Sequence, residues 1–319
     1  MATTSTTTTN FGNLVLVAIR QAYEDELYAR YHLTDPNIGG FIPGIWVKGT
    51  SAIRFKRYAK YAAATTAMTE NTNPTPGAMS IDSEDISGNE YGTALAVGNR
   101  AQRLNPDNLI GIGAQRMGEN AALTLHKLVA NIVYAGSKIT YCNGTVDSGV
   151  TAGLTGASIN SAVAALKVRN VPPFPDGFYR CIITPDQENS LKQDTTTGGW
   201  VDAIRYAGAM QLIRGEAGAY GGVRFLNAGD QGYTSSAAGS TYSGGTYAIH
   251  KAFIYGPQAY GIGGLDLLAP TYVAPVPSAA DIFGLVATVG WHVYPFGAAL
   301  IEKAGSRYQI IDSAQVTSS

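Results

Sequence analysis

Seven apolar residues, Ile110, Ala114, Met117, Ala121, Leu125, Leu128 and Ile132, follow one another at gaps of 4, 3, 4, 4, 3 and 4. That period lines all of them along one face of an α-helix. Ahead of them Asn105 can cap, Pro106 suits the first helical position and Asp107 suits the positive helix start, while Gly136 closes the pattern. About 29 residues at 1.5 Å each predict a rod of roughly 43 Å, against a usual mean of about 11 to 12 residues. A chain that contains such a rod has to lay its other elements along it, which favours a flat, extended body.

The flanking segments differ in kind. Residues 1–45 read as an extended arm with one short helical candidate from Asn13 to Tyr31, interrupted by the breaker-rich DPNIGGFIPG. Residues 50–97 read as a long β-hairpin. In SAIRFKRYA the residues Ile53, Phe55 and, less cleanly, Arg57 share one face, with Arg54, Lys56 and Tyr58 on the other. NTNPTPG, residues 71–77, supplies the turn and SIDSEDISGNEYG carries the chain back. A hairpin with so few large apolar residues needs a partner surface.

Residues 155–265 alternate helix and strand signals: a helix near 157–168, the strand FYRCIIT, a helix after Pro185, a helix or turn at GWVDAIRYA, and the strands VRFLNA and TYAIHKAFIYG. The last two flank a loop of 17 residues, 229–245, and loops of that length are usually functional or disordered. Residues 283–313 return to strand-like runs. The fold class expected is α+β.

Charge is scarce, 14% of residues against roughly a quarter in ordinary soluble domains, and it is unevenly placed. Lys48, Arg54, Lys56, Arg57 and Lys60 occupy a stretch with no acid between Asp35 and Glu70. From there to Glu90 the charges are all acidic: Glu70, Asp82, Glu84, Asp85 and Glu90. The two arms of the hairpin therefore carry opposite signs. A net charge of -1 offers no general basic face for nucleic acid.

Chemistry is hard to find. His32, His126, His250 and His292 stand in no metal or triad spacing, and GxxxxGK[ST], HExxH, CxxC and GxSxG are absent. Cys142 and Cys181 read as free structural thiols. GEAGAYGG and GIGG, residues 261–264, read as turn geometry rather than a nucleotide loop. No catalytic, cofactor-binding or metal-binding residue is expected. MATTSTTTTN lacks the features of a secretory signal, and no apolar run of 18 suggests a membrane span, so a soluble cytoplasmic product is expected.

The order of arm, charged hairpin, long helix and mixed domain resembles the major capsid proteins of tailed phages, the HK97-like fold, and more narrowly the coat proteins of N4-like phages. The residues that carry the resemblance are Tyr91-Gly92, RNVPPFPDGFY (Arg169 to Tyr179), Pro185, GWVDAIRYA, GEAG, GVRF (Gly222 to Phe225), YGPQAYG (Tyr255 to Gly261) and VGWHVYPFGAA. The resemblance implies an N-terminal arm (1–45), an extended loop (46–100) lying over a neighbouring subunit, a peripheral domain with a spine helix (101–154), an axial domain (155–265) and a return to the peripheral domain (266–319). It implies hexamers and pentamers in an icosahedral shell around phage DNA, assembled in the host cytoplasm and located in the virion. A separate scaffolding protein, a portal and a decoration protein are the other implied partners. The ten hairpin charges become candidate inter-subunit contacts. Some capsids of this fold are welded by Lys-Asn bonds, yet this chain has no Asn after Asn227, so no such bond is expected through its C-terminal segment. The competing reading is an extracellular or surface-layer binding module, which also suits low charge with abundant Gly, Ser, Thr and Tyr.

Overall fold

The computed structural model describes residues 5–29, 31–35, 38–47, 49–50, 52–58, 61, 63–65, 67–68, 70, 76–146, 150–194, 216–227, 249–275, 277, 282–302 and 305–314. The chain runs through α1 (Ser5–Ala29), β1 (Ile42–Pro43), β2 (Ile45–Trp46), β3 (Ala52–Tyr58), β4 (Ile81–Ser87), β5 (Asn89–Gly98), α2 (Asn99–Leu104), α3 (Leu109–Val133) and β6 (Ile139–Tyr141). It continues with α4 (Gly156–Val168), β7 (Tyr179–Ile183), α5 (Pro185–Gln193), β8 (Glu216–Tyr220) and β9 (Val223–Asn227). The last strands are β10 (Ile249–Tyr255), β11 (Tyr260–Gly263), β12 (Ala269–Val273), β13 (Val286–Leu300) and β14 (Tyr308–Ala314).

The expected rod is α3, 25 residues long, or about 37 Å. Its cap is Asn108, whose side chain accepts from the Gly111 N–H at 3.2 Å. Asn105 instead accepts from the Asp107 N–H at 3.1 Å. That local turn uses up the Asn105 side chain and leaves Pro106 and Asp107 ahead of the helix. Ile110, Ala114, Ala121 and Leu125 are buried as expected. Toward the C-terminus the buried face drifts to Val129 and Val133, and Ile132 turns outward.

The N-terminal segment is a correction to the expected extended arm. It forms the 25-residue helix α1, which packs along α3. Val15, Ile19 and Tyr23, spaced by four, are buried. Gly118 of α3 makes the approach possible, since a Cβ there would sit 2.7 Å from Ala22 Cβ. Helix formation here is decided by tertiary packing of an apolar stripe, which overrides the poor helix propensity of the Thr tract.

One sheet has the order β1-β11-β13-β12, with β5 also pairing β13. A second has the order β6-β14-β10-β7-β9-β8. α4 packs on β14, and α5 on β10. The chain crosses between these layers more often than the expected domain boundaries allow. β11, inside the expected axial segment, joins the first sheet, and β14, inside the expected return to the peripheral domain, joins the second between β6 and β10. An aromatic cluster joins the layers: Tyr260 of β11 lies 6.0 Å from Phe253 and 5.9 Å from Tyr255 of β10. The short segment after α1, ahead of the breaker-rich stretch, is a buried strap in this joint. His32, Leu33, Thr34 and Asp35 are buried, and the Tyr260 hydroxyl donates to the Leu33 carbonyl at 2.8 Å.

Candidate functional site

β3 and β4 form the hairpin, antiparallel from Ala52↔Ser87 to Tyr58↔Ile81. The expected hairpin over 50–97 ends early: past Gly88 the chain enters β5, which pairs β13 in the first sheet. Side-chain alternation makes Ile53 and Phe55 point inward, and both are 1% exposed. They rest on a floor without side chains. A Cβ at Gly263 would come within 2.5 Å of Ile53 Cγ2, one at Gly261 within 2.6 Å of Phe55 Cε1, and one at Gly297 within 2.7 Å of Ile86 Cδ1. Gly44 completes this seat. The stretch GIGG is therefore mostly a strand stripped of side chains to admit the hairpin. Only Gly264, with φ +89°, uses the conformational freedom of a turn glycine.

The ten charges take different roles. Arg54 lies directly across from Asp85, and the two form a forked pair, Nε to Oδ1 at 2.6 Å and a guanidinium NH2 to Oδ2 at 2.5 Å. The hydrogen bond to Asp85 raises the Arg54 pKa. Both side chains are about two-fifths exposed, 40% and 41%, so solvent screens the pair and it acts on strand register more than on stability. Arg57 shares the inward face with Ile53 and Phe55. It is 4% exposed and donates to the Gly305 carbonyl at 2.6 Å. It anchors the hairpin to its own chain, which corrects its place among the candidate inter-subunit contacts.

Lys56 is exposed across from Ser83, Glu70 and Glu90 are exposed, and Glu84 is half-buried. None of these four forms an ion pair among the described residues. Glu84 borders a cleft with Ile132, Gly136, Ser137 and Glu302 at the end of α3. Within it the Ser137 hydroxyl donates to Glu302 at 2.9 Å, and the hydrogen bond from Tyr308 holds the Glu302 carboxyl below the usual carboxylate range. Lys48, Lys60 and the Asp82 side chain lie outside the described residues.

Beyond its seat the hairpin changes character. Tyr58, Tyr61, Met68, Met79 and Ile81 are between 51% and 73% exposed. Sequence reasoning passed over them because it weighed charge there, although apolar residues unsupported by any core partner were the available signal.

Elsewhere Cys142 and Cys181 are buried and free, and burial pushes the Cys142 thiol up to about 11. His32, His126 and His250 are buried and His292 is exposed. Among the described residues no three His, Cys, Asp or Glu side chains gather as a metal site. The loop 229–245 and GWVDAIRYA lie outside the described residues.

No protein-family model and no curated protein matches the chain. Solved structures do. The capsid of Ralstonia phage GP4 superposes with a TM-score of 0.71 over 92% of each chain at 13% identity. The capsid of Helicobacter pylori bacteriophage KHP30 gives 0.60 over 86% of this chain and 87% of that one, at 12% identity. The capsid of cyanophage P-SCSP1u gives 0.59 over 88% and 87%, at 15% identity. The chain has the HK97-like capsid fold. These likenesses reach the fold and not the narrower N4-like resemblance.

Proposed function

We propose that the chain is a major capsid subunit that self-assembles, as hexamers and pentamers, into the icosahedral head shell enclosing phage DNA. The observation that carries this reading is the likeness to the GP4 capsid over 92% of both chains. The hairpin supports it: its base is fixed to its own body, and its distal half presents uncovered apolar side chains. In this reading the distal half lies over a neighbouring subunit. Apolar burial drives association there, while Lys56, Glu70, Glu84 and Glu90, with Lys48, Lys60 and Asp82, select partner and register.

The subunit's work is assembly rather than turnover. It would act with a separate scaffolding protein, a portal and, where present, a decoration protein, in the host cytoplasm. The finished shell holds double-stranded DNA without reading its sequence. No described helix is long and apolar enough to cross a membrane. Negative-stain electron microscopy of the purified protein, with and without co-expressed neighbouring genes, tests the reading. Closed shells or hexameric and pentameric rings are expected, and a monomer under both conditions contradicts it.

A further inference from the structure

β5 is an outer strand of the first sheet: it pairs β13 and no other strand among the described residues. Seven of its ten residues are exposed. Leu95 points toward α3, where a Cβ on Gly113 would come within 3.0 Å of it, yet it remains 38% exposed because no further strand lies alongside. From Tyr91 to Gly98 the register with β13 is unbroken. Alternate residues of this run therefore turn their N–H and C=O groups outward along one straight edge.

Proteins blunt such edges with shortness, proline, a bulge or charge, and the other described outer strands of this chain are blunted. β1, β2 and β6 have two or three residues, and β12 carries Pro270. β8 has a register shift between Glu216 and Gly218, and β4 reads IDSEDIS, with three acids. In contrast YGTALAVG, the run of β5 from Tyr91 to Gly98, has no charge and no proline. An edge of this length left open is fitted to receive another strand.

The charges that bracket the run identify that strand. Glu90 stands just before it and Arg100 stands two residues past Gly98. Both are exposed, and neither forms an ion pair among the described residues. Turned antiparallel to itself, the run is self-complementary. Side chains directly opposite share a face, and the register centred on Leu95 sets Leu95 against Leu95, Ala94 against Ala96, Gly92 against Gly98 and Glu90 against Arg100. We propose that two copies of this chain pair β5 with β5 in this register, about a twofold axis perpendicular to the sheet, and so join their first sheets into one. The exposed Leu95 side chains meet at the axis, and the match of Glu90 with Arg100 is made twice. Because both copies offer the same surface, the contact stops at a pair. The proposal deepens the capsid reading and rests on it: in a shell of rings, this pair links one ring to the next.

Leu95→Cys separates the two. Assembled particles of this variant are treated with a short bis-maleimide, and Cys142 and Cys181 are buried, so background is low. Covalent dimers and nothing larger are expected. Intact particles that give monomer alone, or trimers and higher species, overturn the contact and leave the capsid reading standing. A charge swap tests the register independently. Glu90→Arg and Arg100→Glu should each lower particle yield about tenfold, by setting like charges opposite one another, at an unchanged thermal midpoint. The two substitutions together should restore the yield. A normal yield from either single variant, or no restoration in the double, overturns the proposal. Failure of the unmodified chain to form particles overturns both readings.

Discussion

The base of the hairpin, where β3 pairs β4, and the described residues beyond its strands behave as different materials. At the base Ile53 and Phe55 are 1% exposed and sink into a glycine floor on β11 and β13, and Arg57 is tied to the backbone of its own body. A few residues further on, Tyr61 and Met79 are 72% and 69% exposed. Folding of one chain explains the first half. The second half invests apolar area that yields nothing until another surface covers it. The division falls where the glycines end, so the floor decides which part of the hairpin belongs to the protomer and which part is offered outward.

Substitutions should respect that division. Phe55→Ala removes a fully buried ring and is expected to cost about 3–5 kcal/mol of protomer stability, seen as a lower midpoint in denaturant or heat; an unchanged midpoint would mean the base is not seated. Gly263→Val fills the floor instead and should cost about 1–3 kcal/mol by overpacking. The two variants should look alike in hydrogen exchange, both releasing β3 and β4.

Acid should loosen the base through the strap that leads into it. Burial lowers the His32 pKa from its ordinary 6.5, so the folded chain keeps that imidazole neutral. The unfolded chain takes up the proton first. Stability is therefore full above about pH 6.5 and declines as pH falls below it. Thermal midpoints between pH 7.5 and 5.5 should drop, with a shallower slope in His32→Gln; equal slopes contradict the assignment. Met79→Ser should move protomer stability by less than about 0.5 kcal/mol while lowering particle yield. The smallest expected effect is none at all: with no Asn after Asn227, boiled particles should run as one monomer band. A covalent ladder from unmodified particles would refute that.

The alternation in AIRFKRY made the inward face readable and already placed Arg57 on it, beside Ile53 and Phe55. Its charge drew it into the contact set, but a guanidinium can reach a backbone carbonyl from a buried position. The long helix α3 was legible because seven residues hold one period, although its cap was not, since Asn105 and Asn108 are equally good caps on paper. The helical candidate from Asn13 to Tyr31 caught most of α1, and only its start in the Thr tract went unread, because threonine is a poor helix former and the apolar stripe that packs on α3 and β12 begins further on. The glycine seat was hidden because GIGG looks the same whether glycine is needed for a turn or for the absence of a Cβ. The return of β14 to the second sheet depends on long-range pairing, which no local pattern records.

Hydrogen exchange on the soluble protomer and on assembled particles compares the two halves directly. Protection of residues 52–57 and 83–87 in both states, with residues 58–81 gaining protection only in particles, is the predicted result. A distal half already protected in the protomer, or a base that becomes protected only on assembly, would contradict it.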